Sequence, residues 1–299
     1  MILLDEADVR AVLRWDELIA AMERALADFS AGRVLQPVRT MLAIEADKRY
    51  LGIMPAVTGA AMGAKLVSFY PGNAGSSQPT HLATIVLLRP QTGEPLAVID
   101  GRLITEMRTA AVSAAVTKRL ASPQSRVLAL LGSGVQAQAH LEALRHVGSF
   151  DEVRVWSRTP EHARRFAAAH GVTAMPDAES AVRDADVVVT ATNASAPILH
   201  GAWLKPGAHV NAIGSPLPDR RELDDAAMMN LLVVDSRAAV AAESGDVILS
   251  GAQIYAEAGE IFAGTVATPT GRTTVFKSVG LAVEDIAAAM LVFEAVSGR

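Results

Sequence analysis

A glycine turn between a short apolar run and an alanine-rich segment constrains this chain more than any other stretch. Val127–Leu131 is uniformly apolar and stops at Gly132, after which Gly132, Gly134 and Ala137 stand in G-x-G-x-x-A spacing. A run that short and that apolar predicts a strand buried on both faces. The first glycine permits a tight turn, and the second leaves the backbone open to a phosphate. The small third residue lets the following helix lie close to the strand. The N–H groups of residues such as Val135 and Gln136 then face an anion at the positive end of that helix. A glycine pair taken alone also marks ordinary turns, so the surrounding pattern has to decide.

From Val127 onward, apolar runs alternate with helical patterns. Strands are predicted at 127–131, 153–156, 186–191, 208–213 and 231–235, and helices near 135–147, 160–170, 177–183 and 222–228. Such alternation predicts an α/β fold with a parallel sheet covered on both faces. Before it the texture differs. A helical period over Trp15–Ala31 is followed by β-like runs at Arg39–Ile44, Tyr50–Met54, Ala64–Tyr70, Ala83–Leu88 and Pro95–Asp100. Glycine and proline turns, such as Pro71–Gly75 and Pro90–Gly93, punctuate them, which predicts an antiparallel meander. Helix returns over Ile104–Ala121, with Thr105 as its expected N-cap, and again over Val283–Val296, which is expected to pack back on the N-terminal region.

Composition excludes several functions. A net charge of −5 with no visible basic stripe gives no field for nucleic acid. No apolar run reaches membrane-spanning length, and Asp5, Glu6 and Asp8 argue against a secretory leader, so a cytoplasmic protein is expected. The chain has no cysteine, which removes thiol catalysis and cysteine-bound metal. No histidine–carboxylate spacing suggests a metal site.

Several residues could carry chemistry. The second strand of the alternating region ends in Ser157-Arg158-Thr159, where an NAD-binding protein usually places an acid against the adenosine ribose. A guanidinium between two hydroxyls suits a 2′-phosphate instead, which points to NADPH, with NADH the alternative; Arg158 as a solvated strand-end charge is the competing reading. Thr190, Thr192 and Asn193 follow the strand beginning at Asp186 and could line the nicotinamide half at the carboxyl edge of the sheet. Arg39, Lys65 and Arg108 could hold a substrate carboxylate, although each taken singly also reads as a surface charge. Arg108 lies in the expected first turn of its helix, where a cation opposes the dipole. His81 precedes a strand and could act as an acid or base near neutrality, or serve only as a local hydrogen-bond partner.

These pieces together resemble the ornithine cyclodeaminase/mu-crystallin family over essentially the whole chain. The resemblance is carried by Gln36–Thr40, Met54-Pro55, Lys65-Leu-Val, Thr80–Thr84, Ile104–Ala115, Gly132–Ala137, Trp156–Thr159, Arg221–Asp224 and Val275–Gly280. It implies a homodimer whose substrate-binding and dimerisation domain is built from both chain ends (1–118 with 276–299). A Rossmann-type doubly wound dinucleotide-binding domain (119–275) is inserted between them. It implies that Arg39, Lys65 and Arg108 bind a substrate carboxylate, with Lys65 or His81 serving the imine nitrogen, and it adds Thr109 and Ser278 to the cofactor-binding set. Two departures matter. Where cyclodeaminases carry a catalytic aspartate, in the loop matching Ile213–Pro218, this chain has Pro216, and where they carry a glutamate near the distal amine it has Gly52. Thr80-His81 and Ser157–Thr159 look instead like the mu-crystallin side of the family. The resemblance therefore implies NAD(P)H-dependent reduction of a cyclic ketimine carboxylate, Δ1-pyrroline-2-carboxylate or Δ1-piperideine-2-carboxylate, to the cyclic L-amino acid. Ornithine cyclodeamination or amino-acid dehydrogenation, with a base such as Asp219, is the first alternative. Non-catalytic binding of NADPH and a small carboxylate is the second.

Overall fold

The N-terminal part of the chain folds as the meander that its short apolar runs predict. The computed structural model describes residues 1–45, 49–73 and 75–298. After β1 (Ile2–Leu4), α1 (Glu6–Val12) and α2 (Trp15–Ser30) come β2 (Thr40–Glu45), β3 (Arg49–Val57), β4 (Met62–Phe69), β5 (His81–Leu88) and β6 (Pro95–Asp100). They form one six-stranded sheet in the order β1-β6-β5-β4-β3-β2, antiparallel except for β1 on β6. The turn at Pro90–Gly93 closes with Gly93 at φ +72° and the Arg89 N–H on Glu94 O. In the turn expected at Pro71–Gly75, Ala74 lies outside the described residues.

Helix α3 (Arg102–Leu120) begins earlier than the sequence suggests. The Asp100 carboxylate accepts the Arg102 N–H, while the Thr105 hydroxyl donates to Gly101 O from inside the first turn. Thr105 is therefore not the N-cap, and Arg108 stands in the second turn, where the dipole penalty is small.

The alternating region gives β7 (Val127–Leu131), α4 (Val135–Arg145), β8 (Glu152–Trp156), α5 (Pro160–His170), β9 (Thr173–Ala174), α6 (Ala178–Val182), β10 (Val187–Thr190) and β11 (His209–Ala212). Then follow α7 (Asp225–Met228), β12 (Leu231–Val234), α8 (Arg237–Glu243), α9 (Gly245–Ser250), β13 (Ile254–Glu257), α10 (Ala258–Phe262) and β14 (Thr274–Lys277). Eight strands lie in the order β13-β12-β14-β11-β10-β7-β8-β9, every pairing parallel. The chain winds from β7 outward through β8 and β9, then returns to the other side of β7 with β10. The topological switch point therefore lies between β7 and β10, at whose carboxyl ends open α/β sheets bind ligands. Helices α8, α9 and α10 and strand β13 were not expected. Each is too short to show a period, and the hydroxyls of Ser236 and Ser244 start α8 and α9 as side-chain N-caps.

The last helix, α11 (Ala282–Ser297), packs on α2 and on β3, β4 and β5. The chain accordingly divides into two compact units, Met1–Thr109 with Gly280–Arg299, and Ala110–Val279. Among the described residues, no helix is long and apolar enough to cross a membrane. Gly63 in β4 makes the close approach of α11 feasible: a Cβ there would stand 2.3 Å from Val86 O and 2.9 Å from the Ile286 side chain. Gly63→Ala is expected to lower the free energy of unfolding by about 1–3 kcal/mol, read by urea titration; an unchanged midpoint would contradict this packing.

Candidate active site

In the unit formed by both chain ends, the strand period turns Gly63 and Lys65 of β4 inward, and Lys65 is buried. Its Nζ lies 2.6 Å from Asp285 Oδ2 and 3.4 Å from the Thr105 hydroxyl. The other oxygen of Asp285 accepts Arg108 Nε at 3.0 Å, and Arg108 Nη1 lies 2.5 Å from Glu284 Oε2. Asp285 thus bridges two cations with its two oxygens. Arg39, half-buried just before β2, donates from Nη2 to Gly280 O at 2.7 Å. Gly280 has φ +81°, and a Cβ there would stand 2.5 Å from Arg108 Nη1, so only glycine lets the guanidinium lie against the backbone.

The three cations named from the sequence therefore converge, with two carboxylates that the sequence reading did not identify. Burial pushes the Lys65 pKa down to about 8, against the opposing pull of Asp285, and Arg108 and Arg39 push the same way as burial. Burial also disfavours the charged Arg108, but Asp285 and Glu284 outweigh it and hold its pKa above the ordinary arginine value. His81 opens β5, with its ring 4.4 Å from that of Phe69 and its Nδ1 3.2 Å from the Thr80 hydroxyl. Desolvation and then the Lys65 charge lower its pKa. Gly52 is buried: a Cβ would stand 2.9 Å from Val67 Cγ1 and 3.0 Å from Met41 Sδ, so a side chain there would have to displace those two side-chain ends.

In the other unit, the glycine turn stands at the switch point. Gly132 has φ +120°, its N–H donates to Trp156 O, and a Cβ would meet Ala191 O at 2.5 Å. Gly134 is the N-cap of α4 and supplies no side-chain cap, so the first N–H groups of that helix, including those of Val135 and Gln136, have no hydroxyl or carboxylate partner from the cap. A Cβ at Gly134 would meet nothing, and Ala137 is buried. This exposed, uncapped turn fits a pyrophosphate. Ser157 is half-buried at the end of β8, and Arg158 and Thr159 are exposed, Thr159 as the N-cap of α5.

Thr190 and Thr192 are engaged. Their hydroxyls donate to the buried Glu222, at 2.7 and 2.6 Å, which also accepts the N–H groups of Thr192 and Gly214. Burial raises the Glu222 pKa, while Lys277 and the two threonines pull it down. Lys277, fully buried, lies 2.8 Å from Asp246 Oδ2 and donates to Gly214 O. Asp246 Oδ1 in turn accepts the N–H groups of Glu222 and Leu223. The network ties the loops after β10 and β11 together. Ser278 donates to the buried Asp235. Asn193 is exposed beyond β10, and Thr109 donates to Thr105 O within α3. Asp219 and Pro216 are exposed. Glu222 and Lys277 fall inside motifs the sequence singled out, but nothing in the sequence marks them as buried partners. Glu284 and Asp285 read as ordinary acids of a first helical turn, and their apolar neighbours are the one visible sign of burial.

A parallel sheet with a glycine turn at its switch point defines a dinucleotide-binding fold. Comparison with known proteins narrows the class. The chain belongs to the ornithine cyclodeaminase/mu-crystallin family, whose model matches residues 1–299. It is 49% identical to the ketimine reductase mu-crystallin of Mus musculus, over 94% of this chain and 92% of that protein. Among solved structures it is similar to the Δ1-pyrroline-2-carboxylate reductase of Thermococcus litoralis in complex with NADH and L-proline. That match has a TM-score of 0.94 and 35% identity, and it covers 100% of this chain and 98% of the other. An archaeal alanine dehydrogenase dimer with bound NAD matches with a TM-score of 0.92 and 33% identity, over 99% and 96%.

The buried network makes a stability prediction. Asp246→Asn removes the direct ion pair of the buried Lys277 ammonium and leaves only the more distant Glu222 charge, so a loss of about 3 kcal/mol in unfolding free energy is expected by chemical denaturation. A loss under about 1 kcal/mol, in the range of an exposed pair, would show that the bridge does not hold these loops.

Proposed function

We propose that this protein reduces a cyclic ketimine carboxylate, Δ1-pyrroline-2-carboxylate or Δ1-piperideine-2-carboxylate, to the cyclic L-amino acid, using NADPH, with NADH as an alternative donor. The observation that carries the reading is the convergence of Arg39, Lys65 and Arg108 in a unit whose relatives include a ketimine reductase and a reductase seen with L-proline. In this proposal Ala110–Val279 is the dinucleotide-binding unit and the unit of both chain ends binds substrate and forms a homodimer; the similar archaeal alanine dehydrogenase is a dimer. An acidic chain without cysteine is proposed to work in the cytoplasm.

Gly132, Gly134, Ala137 and the N–H groups of Val135 and Gln136 would hold the pyrophosphate, Ser157, Arg158 and Thr159 the 2′-phosphate, and Thr109, Thr190, Thr192, Asn193 and Ser278 the remaining lining. The nicotinamide, when bound, supplies the hydride. The chain's own part is to orient and protonate. Two guanidiniums and an ammonium grip the carboxylate, so the imine carbon is presented in one orientation, which can lower a barrier by about 7–11 kcal/mol in favourable cases. Lys65 suits the proton-donor role better than His81: a pKa of about 8 leaves it protonated at neutral pH yet able to release, whereas the lowered pKa of His81 leaves that ring mostly neutral. Pro216 and the crowded Gly52 remove the acids that a cyclodeaminase would use.

The test is NADPH oxidation with the five- and six-membered imine carboxylates. Turnover is expected with at least one ring, and Lys65→Ala or Arg39→Ala is expected to cut it at least about 100-fold while NADPH still binds. The groups facing Lys65 are Asp285, Arg108, Arg39, Thr105 and His81. Because the protonated amine both binds the carboxylate and gives the proton, kcat/KM should be full below Lys65's pKa of about 8 and fall as pH rises through it. NADPH binding without oxidation of either imine would overturn the proposal.

A further inference from the structure

The carboxylates of Glu284 and Asp285 have no role in the reading above, and their setting is unusual. Acids in a first helical turn ordinarily face water and complement the dipole. Here both are fully buried, and neither caps α11, whose N-cap Leu281 has no side-chain partner and whose Val283 N–H is taken by Gln36. They point instead at the cations. Glu284 meets Arg108, and Asp285 spans Lys65 and Arg108 with one oxygen each. Three cations, Arg39, Lys65 and Arg108, are thus gathered with two carboxylates that pair directly with Lys65 and Arg108. In a buried setting, each further unit of charge is costly unless a ligand brings its opposite.

We propose that Glu284 and Asp285 are positioning residues that also set the charge specificity of the clamp: by cancelling two of its three positive charges, they fit it to a ligand end bearing one carboxylate and against one bearing two. Asp285 fixes the spacing of Lys65 and Arg108, and Glu284 fixes the rotation of the Arg108 guanidinium. The inference rests on the reading of the cations as a carboxylate clamp but not on the reductase reaction itself.

The experiment measures dissociation constants of the full chain for L-proline and for pyrrolidine-2,2-dicarboxylate, which shares the ring and carries both carboxylates on one carbon. It compares wild type, Glu284→Gln and Arg39→Gln, with NADPH affinity as the check that each variant is folded. Wild type should favour L-proline. Glu284→Gln raises the clamp by one positive charge and should shift the ratio of affinities towards the dicarboxylate by roughly tenfold. Arg39→Gln, at a half-buried position, lowers the clamp by one charge and should shift the ratio the other way. A Glu284→Asp variant, which keeps the charge, should keep the wild-type ratio even if both affinities weaken; a purely structural glutamate would not separate the two. Ratios unchanged in both charge-altering variants, with NADPH affinity retained, would overturn the inference. Wild type that binds L-proline yet reduces no imine overturns the reductase reading alone, and the ratios still decide the charge rule. Failure to bind L-proline, the dicarboxylate and the six-membered L-pipecolate overturns both.

Discussion

The unit built from both chain ends depends on burying four charges together. Lys65 comes from β4, Arg108 from α3, and Glu284 and Asp285 from α11, so three elements remote in sequence are held by one ionic cluster. Any one of these ions alone would cost several kcal/mol to desolvate. Together they offset one another, and Asp285 does so by bridging. The arrangement explains why the last helix belongs with the N-terminal sheet: without α11, Lys65 and Arg108 would be buried cations with no counter-charge. Hydrophobic packing of Ile286, Val292 and Phe293 supplies the bulk of the attachment, while the ion pairs fix its register. A buried cluster of this kind is poor value as pure stabilisation, since well-packed apolar residues can do as well or better. A function that needs preset cations accounts for its presence.

The other unit depends on a backbone constraint. At the point where the sheet reverses its winding, β7 must turn sharply under the loop that follows β10, and the 2.5 Å gap to Ala191 O excludes any side chain at Gly132. The same reversal puts the start of α4 at the carboxyl edge, uncapped and open. Behind it, Glu222, Lys277 and Asp246 join the loops after β10 and β11 through hydrogen bonds to backbone N–H and C=O groups as well as to each other. Backbone held in that way is rigid, which suits a surface that must receive a flat, charged ligand in one orientation. The membership in the ornithine cyclodeaminase/mu-crystallin family is consistent with both halves of this picture.

Much of this was legible in the sequence where one physical signal dominated. Strands β7, β10 and β12 are apolar along nearly their whole length, and the alternation with helices leaves few other folds. The glycine spacing located the turn because its requirements are steric and local. What stayed hidden was what requires three dimensions. The period of β4 alone does not say which face of the sheet is covered; α11 lies over the face that carries Gly63 and Lys65. Thr105 looked like an N-cap because a hydroxyl precedes an apolar helical run, but Asp100 and Gly101 take that role five and four residues earlier. Glu284 and Asp285 were invisible as counter-charges because their partners lie about 180 and 220 residues away in sequence, beyond the reach of any local pattern. Short helices such as α9 leave no periodic trace at all.

The proposed reduction requires the imine carbon to lie where it can receive hydride. The decisive measurement is reaction of the imine carboxylate with NADPH deuterated at the transferable position of C4, followed by mass and NMR analysis of the amino acid formed. A cyclic L-amino acid carrying one deuterium on the carbon that bears the carboxylate is expected. A product without that label, or with label drawn only from solvent, would contradict the proposed reduction.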